Sequence, residues 1–251
     1  MQGVDRAGKP YGTSFATWQR AGLAVAFLLL VVVAVQSGRM GLAGLVIELA
    51  HREVDLLPQV PAPRRMKEAS RIADWYSDSL AYSPGNPWAL EGLGVLDLMR
   101  MRWSTEPKGA IDFARSARRH FREALRQRPT SPFLWSNVAM SKLYLDEIDA
   151  EFFAALRRAD ELGPWEPTTQ QAILFAGLAA WPRLDAGLRQ SLVRVLERGA
   201  KRNALKMFEI VKSYRRLDLV CTVTGYDAVA GPECRKAAGA ASTGPTRKGD
   251  R

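Results

Sequence analysis

From Ala21 to Gly38 the chain reads AGLAVAFLLLVVVAVQSG, eighteen residues without a charge, the first fifteen an unbroken run of apolar or glycine positions. At about 1.5 Å per residue, such a helix reaches the lower range for crossing a hydrocarbon core about 30 Å thick. Trp18 and Arg20 precede it and Arg39 follows, which are the flanks expected of a span. The pattern predicts one uncleaved transmembrane helix over 21–38. A cleaved signal fits poorly, because Val33, Val35 and Gln36 make a weak small-x-small site behind a long leader. A buried soluble helix fits poorly too, because no position on the segment is polar enough to face water.

Past the span the pattern changes to helical amphipathicity broken by Pro-bearing turns. Residues 39–63 read as a connecting helix and linker ended by Pro58, Pro61 and Pro63. Arg64–Tyr82 then places Ala69, Ile72, Ala73, Tyr76 and Leu80 on one face. SPGNP ends that helix, and further helices are predicted over Trp88–Trp103, Ala110–Gln127, Phe133–Leu145, Ala150–Leu162, Pro167–Trp181 and Asp185–Lys201. The loops STEPKG, RPTSP and GPWEP separate them, and no alternating strand interrupts the series. The expected fold is all-α: a leader over 1–20, the span, and an antiparallel helical-hairpin array over 64–201. A last helix over Ala204–Leu219 and a cap reaching residue 234 follow. A tail over 235–251, rich in small and polar residues, is expected to be disordered.

One spacing stands out within this series. Ala117, Phe121, Ala124 and Pro129 are placed as A-x3-F-x2-A-x4-P, and Trp135, Val138 and Ala139 follow. This resembles the second helix of a tetratricopeptide repeat running into the next first helix. Small residues let the helices of a hairpin approach, the aromatic fills the gap, and proline stops the helix at the turn. The spacing recurs at Phe152, Leu156, Ala159 and Pro164, and more loosely at Ile72, Tyr76, Ser79 and Pro84, followed by Trp88 and Gly92. The interval from Trp88 to Ala117 exceeds the family's, which points to a lengthened hairpin around Ser104–Gly109. The resemblance implies an interaction solenoid whose first helices line a groove. By that logic Asn86, Ala89, Leu93, Phe133, Ser136 and Met140 face a partner; packing between helices is the alternative for the apolar ones. A carboxylate clamp is not supported, since Asn137 alone stands near such a position.

Charge narrows the partners. The 251 residues carry a net +10 at pH 7, which favours an anionic contact. Arg115, Arg118, Arg119, Arg122 and Arg126 share one helix face, either a basic strip for an acidic glycan or headgroups, or a solvated surface. Nucleic acid is disfavoured, because no aromatics are interleaved with these arginines. Arg6, Lys9, Arg20 and the terminal amine before the span outweigh Arg39 and Arg52 after it, predicting a cytoplasmic N-terminus and a periplasmic body in a bacterial inner membrane. Cys221 and Cys234, with Gly225, Gly231 and Pro232 between them, are expected to pair, as oxidising compartments allow.

No catalytic constellation emerges. His51 and His120 are far apart without a nucleophile pattern, and there is no phosphate loop, Cys-x2-Cys pair or G-x-S-x-G. The expectation is a non-enzyme with neither metal nor cofactor. The ensemble of leader, anchor, repeat-like body and the stretch Tyr214–Cys221 resembles small anchored proteins that accompany bacterial exopolysaccharide and O-antigen polymerisation. That resemblance implies a scaffold for a membrane or periplasmic protein of a polysaccharide-assembly system. Direct binding of acidic glycan, or a cytosol-facing regulator, are the alternatives.

Overall fold

The structure, a computed structural model, describes residues 12–242. Helix α1, Gly12–Leu56, is continuous for 45 residues and carries the expected span and the connecting segment as one rod. Its most apolar stretch has a mean hydropathy of 2.3 and none of it is buried, so it is long and apolar enough to cross a membrane. Beyond Leu42 a stripe of Ala43, Ile47, Ala50 and Val54 becomes buried at helical spacing. That stripe packs on α2, Ala62–Tyr82, after a 3-10 turn at Leu57–Gln59.

Up-and-down helices follow: α3 (Pro87–Trp103), α4 (Pro107–Gln127), α5 (Pro132–Tyr144), α6 (Ala150–Leu162), α7 (Pro167–Ala179) and α8 (Ala186–Ser213). Each packs on the next, and α1 also touches α3, α5 touches α7, and α6 touches α8. Among the described residues the fold is all-helical. Proline opens α3, α4, α5 and α7, where its missing N–H costs no hydrogen bond and its fixed φ suits the first turn.

Three of the connections are built alike. Pro84-x2-Pro87, Pro129-x2-Pro132 and Pro164-x2-Pro167 join α2 to α3, α4 to α5 and α6 to α7. The N–H groups of Asn86, Ser131 and Glu166 donate to the carbonyls of Ser83, Arg128 and Gly163 at 3.1, 3.1 and 3.2 Å. At the sixth residue after the first proline, Trp135 and Gln170 both return a side-chain N–H to that proline's carbonyl, at 2.8 and 2.7 Å. This register makes Leu90, not Trp88, the counterpart of Trp135, and Gly94, not Gly92, the counterpart of Ala139. Trp88 lies outside the packed seam, 48% exposed.

Both glycines of α3 are nevertheless required by packing. A Cβ at Gly92 would sit 2.2 Å from Tyr76 Cζ, and one at Gly94 would sit 2.5 Å from Phe121 Cε1. Helix α3 thus receives one ring from α2 and another from α4, and each ring fits because the side chain opposite is absent. The hairpin around Ser104–Gly109 is lengthened in its helices and not in its loop: the α3–α4 connection is short, and the helices absorb the extra residues. They have 17 and 21 residues, against 13 each in α5 and α6.

The C-terminal end keeps the break expected between Lys201 and Ala204 and departs from expectation after it. Helix α8 breaks at Asn203 (φ −150°, ψ 25°) and folds back so that Met207 lies against Gly199. The helix expected over 204–219 is interrupted where Arg215 takes a left-handed φ of 56°, giving α9 (Leu217–Cys221) and then α10 (Asp227–Ser242). Cys221 and Cys234 are joined, with Cα atoms 5.6 Å apart, and Tyr226 donates its hydroxyl to the Leu196 carbonyl at 2.9 Å. Val220, Tyr226 and Ala230 are buried, so this pair of short helices covers the last face of α8. Helix α10 runs through residues 235–242, correcting the expected start of the tail; the rest of that tail lies outside the described residues.

Candidate functional site

The first helices of the array border a cleft of about 280 Å³. His51, Val54 and Asp55 of α1, Tyr76 of α2, Glu91, Gly92 and Val95 of α3, and Phe133 of α5 line it. Tyr76 is fully buried, yet its hydroxyl has no hydrogen-bond partner. Burial, reinforced by the charges of Asp55, Glu91 and Glu48, holds its pKa well above the ordinary tyrosine value, so it stays a protonated donor. Leaving a buried hydroxyl unpaired costs about 1–3 kcal/mol. Burial likewise raises the Glu91 carboxyl, against the opposing pull of Arg128, whose guanidinium lies 2.5 Å away and stacks 3.6 Å from the Trp88 ring.

The shared turn register aligns Val95 with Met140 and Phe175, at the eighth residue after each second proline. All three are half-buried apolar side chains on successive first helices, and Phe175 continues edge-on into Tyr214 at 5.4 Å. By this register they hold equivalent positions on α3, α5 and α7, with Val95 at the cleft itself.

Of the residues expected to line a groove, Phe133 and Met140 are on this surface. The others are not. Ala89 and Ser136 are fully buried and Leu93 nearly so, because they sit on the side of α3 and α5 that packs against neighbouring helices. Asn86 is spent as the α3 N-cap, accepting from the N–H groups of Trp88 and Ala89. Asp55, Glu91, Val95 and Phe175 escaped the sequence reading. The recurring Pro-x2-Pro turns, which fix the phase of every first helix, are the signal that finds Glu91, Val95 and Phe175.

The five arginines of α4 surround one shallow depression as expected, but the strip is largely neutralised by its own carboxylates. Arg118 reaches Glu147 and Arg122 reaches Glu151, across to the α5–α6 connection and α6, while Arg115 pairs with Asp112 and Arg126 with Glu123. Behind them Lys142, only 2% exposed, contacts Asp149 at 2.9 Å, Glu151 at 3.0 Å and Glu147 at 3.1 Å. The Arg122 hydrogen bond holds the Glu151 carboxyl below its usual range, and the Lys142 hydrogen bond does the same for Asp149.

Carboxyls whose pKa is lower when folded contribute stability that is complete above their unfolded value and lost as pH falls through the folded one. Melting temperature is therefore expected to hold from neutrality to about pH 5 and to drop below about pH 4. Lys142→Met should flatten that acid limb in a calorimetric pH series; an unchanged slope would mean that the cluster does not couple to folding.

The two histidines remain apart. His51 borders the cleft beside Tyr76, ring centres 5.6 Å apart, and His120 sits 3.1 Å from the buried Asp97 between α3 and α4. In comparisons with known proteins, the chain matches no family model, no curated protein and no solved structure.

Proposed function

We propose that this protein is a non-catalytic, membrane-anchored scaffold. Its tetratricopeptide-like array holds a segment of another membrane or periplasmic protein, in a bacterial system that polymerises or exports polysaccharide. The observation that carries the binding reading is the surface of the first helices. There Val95, Met140 and Phe175 are half-buried apolar side chains at equivalent positions, and Val95 lines a cleft whose buried Tyr76 hydroxyl has no partner of its own. A helix or extended segment laid along these positions buries apolar area. Direct binding of acidic glycan through α4 is the weaker reading, because Arg115, Arg118, Arg122 and Arg126 already have carboxylate partners.

Photo-crosslinkers placed at Met140 and Phe175 in cells test this, with Arg119 as the control. Protein adducts that persist in high salt are expected at the first two positions; adducts to polysaccharide at Arg119 that vanish with salt would replace the scaffold by a glycan binder. The orientation, read from the charges around the span, carries its own test. A reporter active only outside the cytoplasm, fused after Arg251, should be active. Activity of a cytoplasmic reporter there would make the protein a cytosol-facing regulator.

A further inference from the structure

One end of the array is tied to the mouth of the apolar span. Arg39, directly after the span, donates to the Ala81 carbonyl at 3.2 Å, which brings the end of α2 and the first Pro-x2-Pro turn to that level. Gln127 donates to the Gly85 carbonyl, adding the second turn. Gly163 lies against the Pro132 ring, adding the third. Asn203 donates to the Pro167 carbonyl at 3.4 Å and Lys201 lies 5.6 Å over the Trp165 ring, adding the corner of α8. The connections at residues 57–61, 104–106, 145–149 and 180–185 occupy the other end, as Arg65 against Trp103 and Arg183 against Asp146 show. Because α1 is unbroken, the helices stand roughly along the span and the array extends sideways from it.

Exposed apolar side chains concentrate on the end beside the span. Beyond Glu48, those large enough to matter at this end are Tyr82, Trp88, Leu162, Trp165 and Leu205; among the described residues only Leu49, Leu56 and Ile111 lie elsewhere. Leu205 is 57% exposed at the apex of the α8 corner, flanked in sequence by Lys201, Arg202 and Lys206. Tryptophan and tyrosine with neighbouring cations are the side chains that settle at a membrane–water boundary, the rings at headgroup depth and the cations on phosphates.

We infer that this end of the array is a lipid-docking face. Trp88, Trp165 and Leu205 enter the headgroup layer of the membrane that α1 crosses, and Lys201 and Arg202 meet its anionic phosphates. The array then lies flat on the bilayer with its opposite end in water. The inference rests on the anchored reading of α1.

The test uses the full chain in nanodiscs of phosphatidylcholine and phosphatidylglycerol, with spin labels on Val31→Cys, Leu56→Cys, Trp165→Cys or Leu205→Cys and the native cysteines left oxidised. Labels at 165 and 205 are expected to be more accessible to oxygen than to an aqueous nickel chelate, and the label at 56 the reverse. Exchanging phosphatidylglycerol for phosphatidylcholine should shift the 205 label toward water; no shift would remove the role assigned to Lys201 and Arg202. If 31 is in lipid while 165 and 205 match 56, the docking face is wrong and the anchor stands. If 31 is also aqueous, the anchor reading fails as well.

Discussion

Phe121→Ala is expected to destabilise the protein by about 3–5 kcal/mol, the range for truncating a buried aromatic whose neighbours cannot close the space. The ring is fully buried between Ala117, Ala124 and the face of α3, where Gly94 leaves its edge no room to spare. Neither helix can move in to fill the void, since each is also packed on its other side, α3 by Tyr76 and α4 by α5. Chemical unfolding of the full chain in detergent, followed by circular dichroism, measures the change, with Arg119→Ala as the near-zero control. Arg118, three residues before Phe121 on α4, is mostly buried and tied to Glu147, so its removal should cost about 1 kcal/mol and it would not serve as a neutral control. Equal losses at 119 and 121 would refute the packing described for this hairpin.

Breaking the disulfide is the second large effect. Cys221 and Cys234 are 13 apart in sequence, and closing a loop of that size restricts the unfolded chain by about 3 kcal/mol in the chain-entropy estimate. The loss should be local. Cys221→Ser with Cys234→Ser is expected to raise hydrogen exchange and proteolysis first around Tyr226 and Ala230, which rest on α8 through buried contacts and the Tyr226–Leu196 hydrogen bond. Exposure of Leu196 and Phe208 should follow, while α3 to α6 keep their protection. If exchange rises uniformly across the array, the C-terminal pair is integral to one cooperative unit and not a cap.

Much of the architecture was legible in residue order because its causes are local. The uncharged run from Ala21, the proline at the start of α3, α4, α5 and α7, and the small-aromatic-small spacing around Phe121 act within a turn or two of helix, where composition and period decide the outcome. The Cys221–Cys234 pair was legible for the same reason, being brought together by one short connection. The misplaced groove residues show where local reasoning ended. Ala89 and Glu91 are two positions apart on one helix, yet Ala89 is buried and Glu91 borders the cleft, and that difference is set by where α2 and α4 press on α3.

The sequence by itself determined an all-helical chain, a segment apolar enough to cross a membrane, the positions of the turns from α2 to α8, and that Tyr76, Phe121 and Phe152 face inward. Tertiary structure decided what those elements became: that Arg118 and Arg122 are neutralised by carboxylates 29 residues away, that Tyr76 is left without a partner, and that three like turns and the α8 corner share the end beside the span. These outcomes depend on contacts between distant segments, whose geometry is fixed only when rings such as Tyr76 and Phe121 seat against the glycines of α3. Helical period specifies which face of each helix turns inward, but not which neighbour it meets there or how far along the helix they touch.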